Sequence, residues 1–246
     1  MTTDKKLKTN EEISEKLFKL IEKEITRPIY DVDAFVQKYS YEVGQIIFEQ
    51  MKNINFIRNN LIFPVIIKQV LPYIADEFYI PTLLEIIKHE DLDNRISFIV
   101  IQKLSWRVEE SKEAIPYLER YLSRTDNLRD LAAISLAEIG YDDFDKLLPS
   151  LISGLQKAAF YTTRMKAARL MLLNRDKLQE YLPSLIMALK EDADYRFRQK
   201  IARYFGTIDD PKAKKALEKV LKEEPHPIVR MVAKTSLDDL EALAKN

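Results

Sequence analysis

Apolar residues recur along this chain at spacings of three and four, and the pattern itself returns about every 34 residues. Four segments place a proline ahead of leucine-rich sequence: Ile80-Pro81-Thr82-Leu83, Ile115-Pro116-Tyr117-Leu118, Leu148-Pro149-Ser150-Leu151 and Leu182-Pro183-Ser184-Leu185. Six residues after each proline stand Ile87, Leu122, Leu155 and Leu189; a fifth copy without the proline keeps Leu217 and Leu221. Apolar side chains four apart share one helix face, so each copy reads as the start of an amphipathic helix. Proline near a helix start costs little, because the first N–H groups have no partner inside the helix.

A second series follows roughly 14 residues later, each copy opened by an arginine: Arg129, Arg164, Arg198 and Arg230, continued more loosely upstream by Arg95 and Arg58. Small or apolar residues three and seven positions after these arginines form the buried face of a second helix. Ala132, Ala168 and Ala233 allow close approach to a neighbour. Two helices per repeat, in tandem, define an α-solenoid, since one hairpin cannot bury its apolar stripe alone. The expectation is all-α: an α-α superhelix of about six helical hairpins, with boundaries near 42–75, 76–110, 111–144, 145–178, 179–208 and 209–243. Residues 1–41 fall outside the repeat and read as an N-terminal helical cap, with Ile13, Leu17, Leu20 and Ile21 on one helix face and a second short helix over 31–39. Residues 42–246 then form a single continuous solenoid. Pro64 falls inside the helical run 59–71 and should kink or break it.

Composition narrows the picture. Four Gly in 246 residues disfavour a turn-rich β protein. Lys plus Arg and Asp plus Glu number 39 each, so no global charge draws the chain to nucleic acid or membrane. The absence of Cys removes disulfides, thiolate chemistry and Cys-ligated zinc, and fits a cytoplasmic location. The first residues carry no secretory pattern, and the most apolar stretch, 61–74, is too short to span a bilayer of ~30 Å.

The stretch Leu-Lys-Glu-Glu-Pro-His-Pro-Ile-Val-Arg-Met-Val-Ala (221–233) resembles the HEAT-repeat family, in particular the short HEAT-like repeats of the phycobilisome-lyase type. Asp126 before Arg129 and Asp93 before Arg95 fit the Asp/Arg pairing of such units. The resemblance spans about residues 76–243. It implies a HEAT-like solenoid whose second helices line a concave surface. The 34-residue period is shared with tetratricopeptide repeats, but their Trp-Leu-Gly-Tyr signature is missing.

Candidate site residues follow from the rows two and five positions after each arginine. In the first half, Phe63, Val100, Leu131 and Ile134 read as an apolar half-groove. In the second half, Lys166, Arg169, Lys200 and Arg203, joined on the same face by Arg196 seven residues before Arg203, read as a basic half-groove, suited to an acidic peptide or a phosphate backbone. The arginine row itself (Arg58, Arg95, Arg129, Arg164, Arg198, Arg230) reads as structural, pairing with carboxylates or helix-end carbonyls. Trp106 reads as a core anchor. His89 and His226 sit in different repeats without the spacing of a zinc pair, and the acidic turns around Asp93 and Asp143 read as helix caps. No phosphate loop, nucleophile elbow or catalytic triad appears. The expected function is therefore a non-enzymatic scaffold or adaptor that binds another protein or peptide, needs no cofactor or metal, and does not enter a membrane. The alternatives are a nucleic-acid-binding protein, with a fold-level likeness to HEAT-like DNA glycosylases, and a lyase-like or chaperone-like role toward a chromophore-bearing protein.

Overall fold

The structure, a computed structural model, describes residues 9–26, 31–58 and 62–243. Among these residues every regular element is helical. Helices pack against their sequence neighbours, as a helical-repeat solenoid requires. Residue contacts divide the chain into two compact units, 1–120 and 121–246.

The first unit opens with α1 (Asn10–Thr26), α2 (Asp31–Lys38) and α3 (Ser40–Met51). The stripe Ile13, Leu17 and Ile21 is buried, and α1 packs on α2, α3 and the later α5. Each such side chain taken out of water contributes roughly 1.5–3 kcal/mol. Glu24 continues the stripe and is buried with it; its Oε1 accepts a hydrogen bond from Gln69 Nε2 at 2.7 Å. Then come α4 (Ile54–Ile57) and α5 (Ile62–Val65). Pro64 lies in the first turn of α5, where a missing N–H is tolerated, and the chain leaves α geometry two residues later. It widens to a π turn at Ile66–Val70 and tightens to a 3-10 turn at Leu71–Tyr73. Residues 59–61, the start of the expected run, lie outside the described residues. Next stand α6 (Asp76–Lys88), α7 (Asn94–Leu104) and α8 (Ile115–Glu119). The third expected first helix is thus five residues long, and passes into a 3-10 turn at Arg120–Ser123.

The second unit is the regular one. It holds α9 (Asn127–Glu138), α10 (Phe144–Lys157), α11 (Tyr161–Leu173), α12 (Leu178–Glu191), α13 (Tyr195–Phe205), α14 (Pro211–Glu223) and α15 (Pro227–Leu243). Every helix touches the next one and the one after it. The starts are fixed by aspartates: Asp126, Asp143, Asp194 and Asp210 each accept a hydrogen bond from an amide two or three residues on. Asp93 does the same for α7 in the first unit.

The prolines do not open the helices as expected. Pro81, Pro149 and Pro183 are each the sixth residue of α6, α10 and α12. The carbonyl each leaves without a donor belongs to the second residue, Glu77, Asp145 or Gln179, and all three are exposed to water. That hydration makes proline tolerable so close to the helix start.

Counting from the first residue of each second helix, the seventh position is Val100, Ala133, Ala167, Ile201 and Ala233, all fully buried. Small residues there let helices approach. The helices come close at Gly206, where an added Cβ would stand 2.8 Å from Cβ of Ser236 on α15.

Candidate interaction surface

Three arginines repeat one geometry in the second unit. Arg164, Arg198 and Arg230 are each the fourth residue of their helix. Each donates to the carbonyl six residues back, at the end of the preceding helix: Ala158, Asp192 and Glu224. Two of them also reach the next hairpin. Arg164 pairs with the carboxylate of Asp192, the closest approach being 2.9 Å. Arg198 donates from Nε and Nη2 to the two carboxylate oxygens of Glu224, at 2.9 and 2.7 Å. The forked guanidinium makes this bidentate contact in a nearly dry site, the Arg198 side chain being 11 % and the Glu224 side chain 4 % exposed. Burial pushes the Glu224 carboxyl up, but the hydrogen bonds from Arg198 and the His226 amide outweigh it and hold it below its ordinary value. Arg164 and Arg198 are thereby engaged within the fold.

The other three arginines of the row are placed differently. The helix starts show why: Arg129 is the third residue of α9 and Arg95 the second of α7. The fourth position of α9 is Asp130, which takes hydrogen bonds from Arg129 and from Ser153. The end of α10 is capped by Ala158, which offers no carboxylate where α12 and α14 present Asp192 and Glu224. Arg95 is exposed, at the place that Arg196 holds in α13. Arg58 donates to the carbonyl oxygen of Asp91 at 3.3 Å and lies 3.6 Å from its carboxylate.

The basic residues share a register on α11 and α13. Lys166 and Lys200 are the sixth residues of their helices, and Arg169 and Arg203 the ninth. Lys166 and Arg169 share one carboxylate, Glu138 at the end of α9, at 2.9 and 3.3 Å. Arg196 is clamped by Asp194, two bonds of its guanidinium measuring 3.0 and 2.7 Å, and rests over the Tyr161 ring at 5.5 Å. Hydrogen bonding to Arg196 draws the Asp194 carboxyl down to about 2. Lys200 and Arg203 are exposed and, among the described residues, pair with no carboxylate. Five cations against two carboxylates leave this face positive.

The expected apolar half-groove is corrected. Phe63, Val100, Leu131 and Ile134 are all buried. Val100 occupies the core position seven residues into α7. Ile134 points toward α10, its Cδ1 3.8 Å from where a Cβ on Gly154 would stand. Phe63 belongs to α5, which α1 covers. Arg95 and Arg129 are the second and third residues of their helices, not the fourth, so the positions two and five after them turn into the core instead of lining a groove. Exposed apolar side chains lie elsewhere, and the sequence reading missed them: Ile228 at 40 % and Met231 at 62 % on α15, with Phe160 and Tyr195 at the turns that start α11 and α13. Trp106 is also no core anchor: it follows the end of α7 and is 61 % exposed, with Lys103 Nζ 4.9 Å from its ring centroid. His89 bonds the carbonyl of Met51, and His226 stacks on Tyr195 at 3.8 Å. Among the described residues no group of three or more His, Cys, Asp or Glu could hold a metal ion, and no helix is long and apolar enough to cross a membrane.

Stacked hairpins with laterally stapled turns define a helical-repeat protein. Residues 148–238 match the family model for HEAT repeats, from within α10 through most of α15. This is the stretch in which the arginine geometry is regular. No curated protein matches the chain.

Proposed function

We propose that the protein is a non-enzymatic interaction scaffold whose α11–α13 face holds an acidic segment of a protein partner. The observation that carries this reading is Lys200 and Arg203: exposed, one helical turn apart, and without a carboxylate of their own, while Arg164 and Arg198 are consumed by the fold. HEAT repeats generally serve as protein-interaction scaffolds, and the match at 148–238 covers this face. The helices of 1–41 we read as the cap of the array, and its setting as the cytoplasm. The finer likeness of 221–233 to lyase-type repeats would make the partner a chromophore-bearing protein, which mass spectrometry of proteins retained from the native host would reveal. The nucleic-acid alternative gains less support, because Tyr161 and Tyr195 already engage Arg196 and His226.

The test is binding of a fluorescein-labelled poly-glutamate peptide by anisotropy. Lys200→Glu with Arg203→Glu should weaken it about tenfold or more, since each lost pair is worth about 0.5–1 kcal/mol and each new repulsion a similar amount. Binding should fall as salt rises. Binding unchanged in the double variant, or a single-stranded oligonucleotide preferred over the peptide, defeats the reading.

A further inference from the structure

We propose that the basic strip of α13 and the apolar pair on α15 form one docking surface for an amphipathic acidic segment of another protein. The proposal rests on the reading above and adds the apolar half of the partner. α13 and α15 run side by side. Tyr195, the first residue of α13, stacks on His226, just before α15, while Gly206, just past α13, abuts Ser236 of α15. A position on α13 therefore lies level with one to two positions earlier on α15, which sets Met231 level with Lys200. Arg196 and Ile228 are the second residues of their helices, and Gln199 and Met231 the fifth. Beyond them on α13 come Lys200 and Arg203. The strip from the second to the ninth residue is roughly 10 Å long, two turns of a partner helix.

The chemistry of the two halves differs. Ile228 and Met231 are 40 % and 62 % exposed on a helix whose other face, Val229, Val232 and Ala233, is in the core. Methionine is enriched at protein interfaces, and its flexible thioether adapts to a partner's apolar surface. Aliphatic side chains offer nothing to a phosphate backbone. A purely polar acidic peptide would satisfy Lys200 and Arg203 but leave Met231 in water. A segment with carboxylates on one flank and leucine-like residues on the other satisfies both at once, which favours a protein partner over a nucleic acid.

The test uses two labelled peptides of about 14 residues (roughly 20 Å of helix) with the full chain. One carries Glu and Leu on opposite flanks; the control keeps every Glu and replaces Leu with Ser. The amphipathic peptide should bind at least about tenfold tighter, a difference of about 1.4 kcal/mol. Ile228→Ser with Met231→Ser should erase that difference and leave the control peptide's binding unchanged. Lys200→Glu with Arg203→Glu should weaken both peptides. Circular dichroism should show equal helicity in all variants, since every substituted side chain is exposed. Equal binding of the two peptides, or an advantage that persists in the serine variant, overturns the apolar half while the charge reading stands. Indifference of both peptides to the charge reversal overturns the reading beneath it. Dimerisation in sedimentation that is lost in the serine variant assigns the surface to a second copy and overturns the proposal.

Discussion

Removing Arg198 tests the staple most sharply. Arg198→Leu keeps much of the side chain's packing but deletes a bidentate pair with Glu224 and a bond to the Asp192 carbonyl. Glu224 is then left almost fully buried with one remaining donor, the His226 amide at 3.0 Å. Breaking one partner of a buried pair costs about 3–5 kcal/mol. The retained amide bond puts the expectation at the low end, about 3 kcal/mol. For a unit of this size that is a fall in melting temperature on the order of 10 °C. Urea titration followed by circular dichroism measures it. Adding Glu224→Leu should recover most of the loss, because two apolar groups of similar volume need no desolvated charge. Arg129→Leu is the contrast: this guanidinium is 30 % exposed, and its buried partner Asp130 keeps the Ser153 hydroxyl as a donor, so the loss should be smaller than for Arg198→Leu. A loss under 1 kcal/mol for Arg198→Leu, or a double variant no better than the single one, refutes the assignment of the pair as a staple.

Two further outcomes follow from close contacts and titration. Gly206→Ala should destabilise by about 1–3 kcal/mol, its Cβ driven to 2.8 Å from Ser236, whereas Gly154→Ala, whose nearest neighbour lies at 3.4 Å, should gain up to about 1 kcal/mol of helix stability; thermal melts of the two variants moving in the same direction would contradict this. The Asp194 carboxyl, drawn to about 2 by Arg196, and the lowered Glu224 carboxyl bind protons less readily folded than unfolded, so their stabilisation is complete above the ordinary carboxylate range near ~4 and is lost as pH falls from there toward about 2. Urea titrations across that window should show the loss, and Arg196→Gln should return the Asp194 midpoint, read by NMR, toward its ordinary value.

The helical period was legible because hydrophobic spacing and proline placement both carry it. Pro149 and Pro183 sit at the same depth in α10 and α12, so their separation measures the repeat even though neither opens its helix. The register within the second helices was harder to read. Arginine is conspicuous in sequence, yet the element that sets the helix start is the aspartate: Asp93, Asp126 and Asp194 each hold the amide two residues on. Aligned on those caps, Arg95 matches Arg196 and Val100 matches Ile201, which moves Val100 into the core. The short α8 was not legible, because Pro116 sits in the same leucine-rich wording as its counterparts. The exposure of Met231 and Ile228 depends on which flank of α15 has no neighbour, a tertiary property that the apolar pattern of α15 alone does not encode.

The missing carboxylate at Ala158 gives the second unit links of unequal strength. From α11 to the end of α14 the turns are fastened by buried charge pairs, while α9 is tied to α11 by Lys166 and Arg169 on Glu138, cations that are 35 % and 56 % exposed. Exposed pairs are the more readily screened. In rising salt such an array behaves as a graded spring, its α9 edge loosening before the turns from α11 to α14.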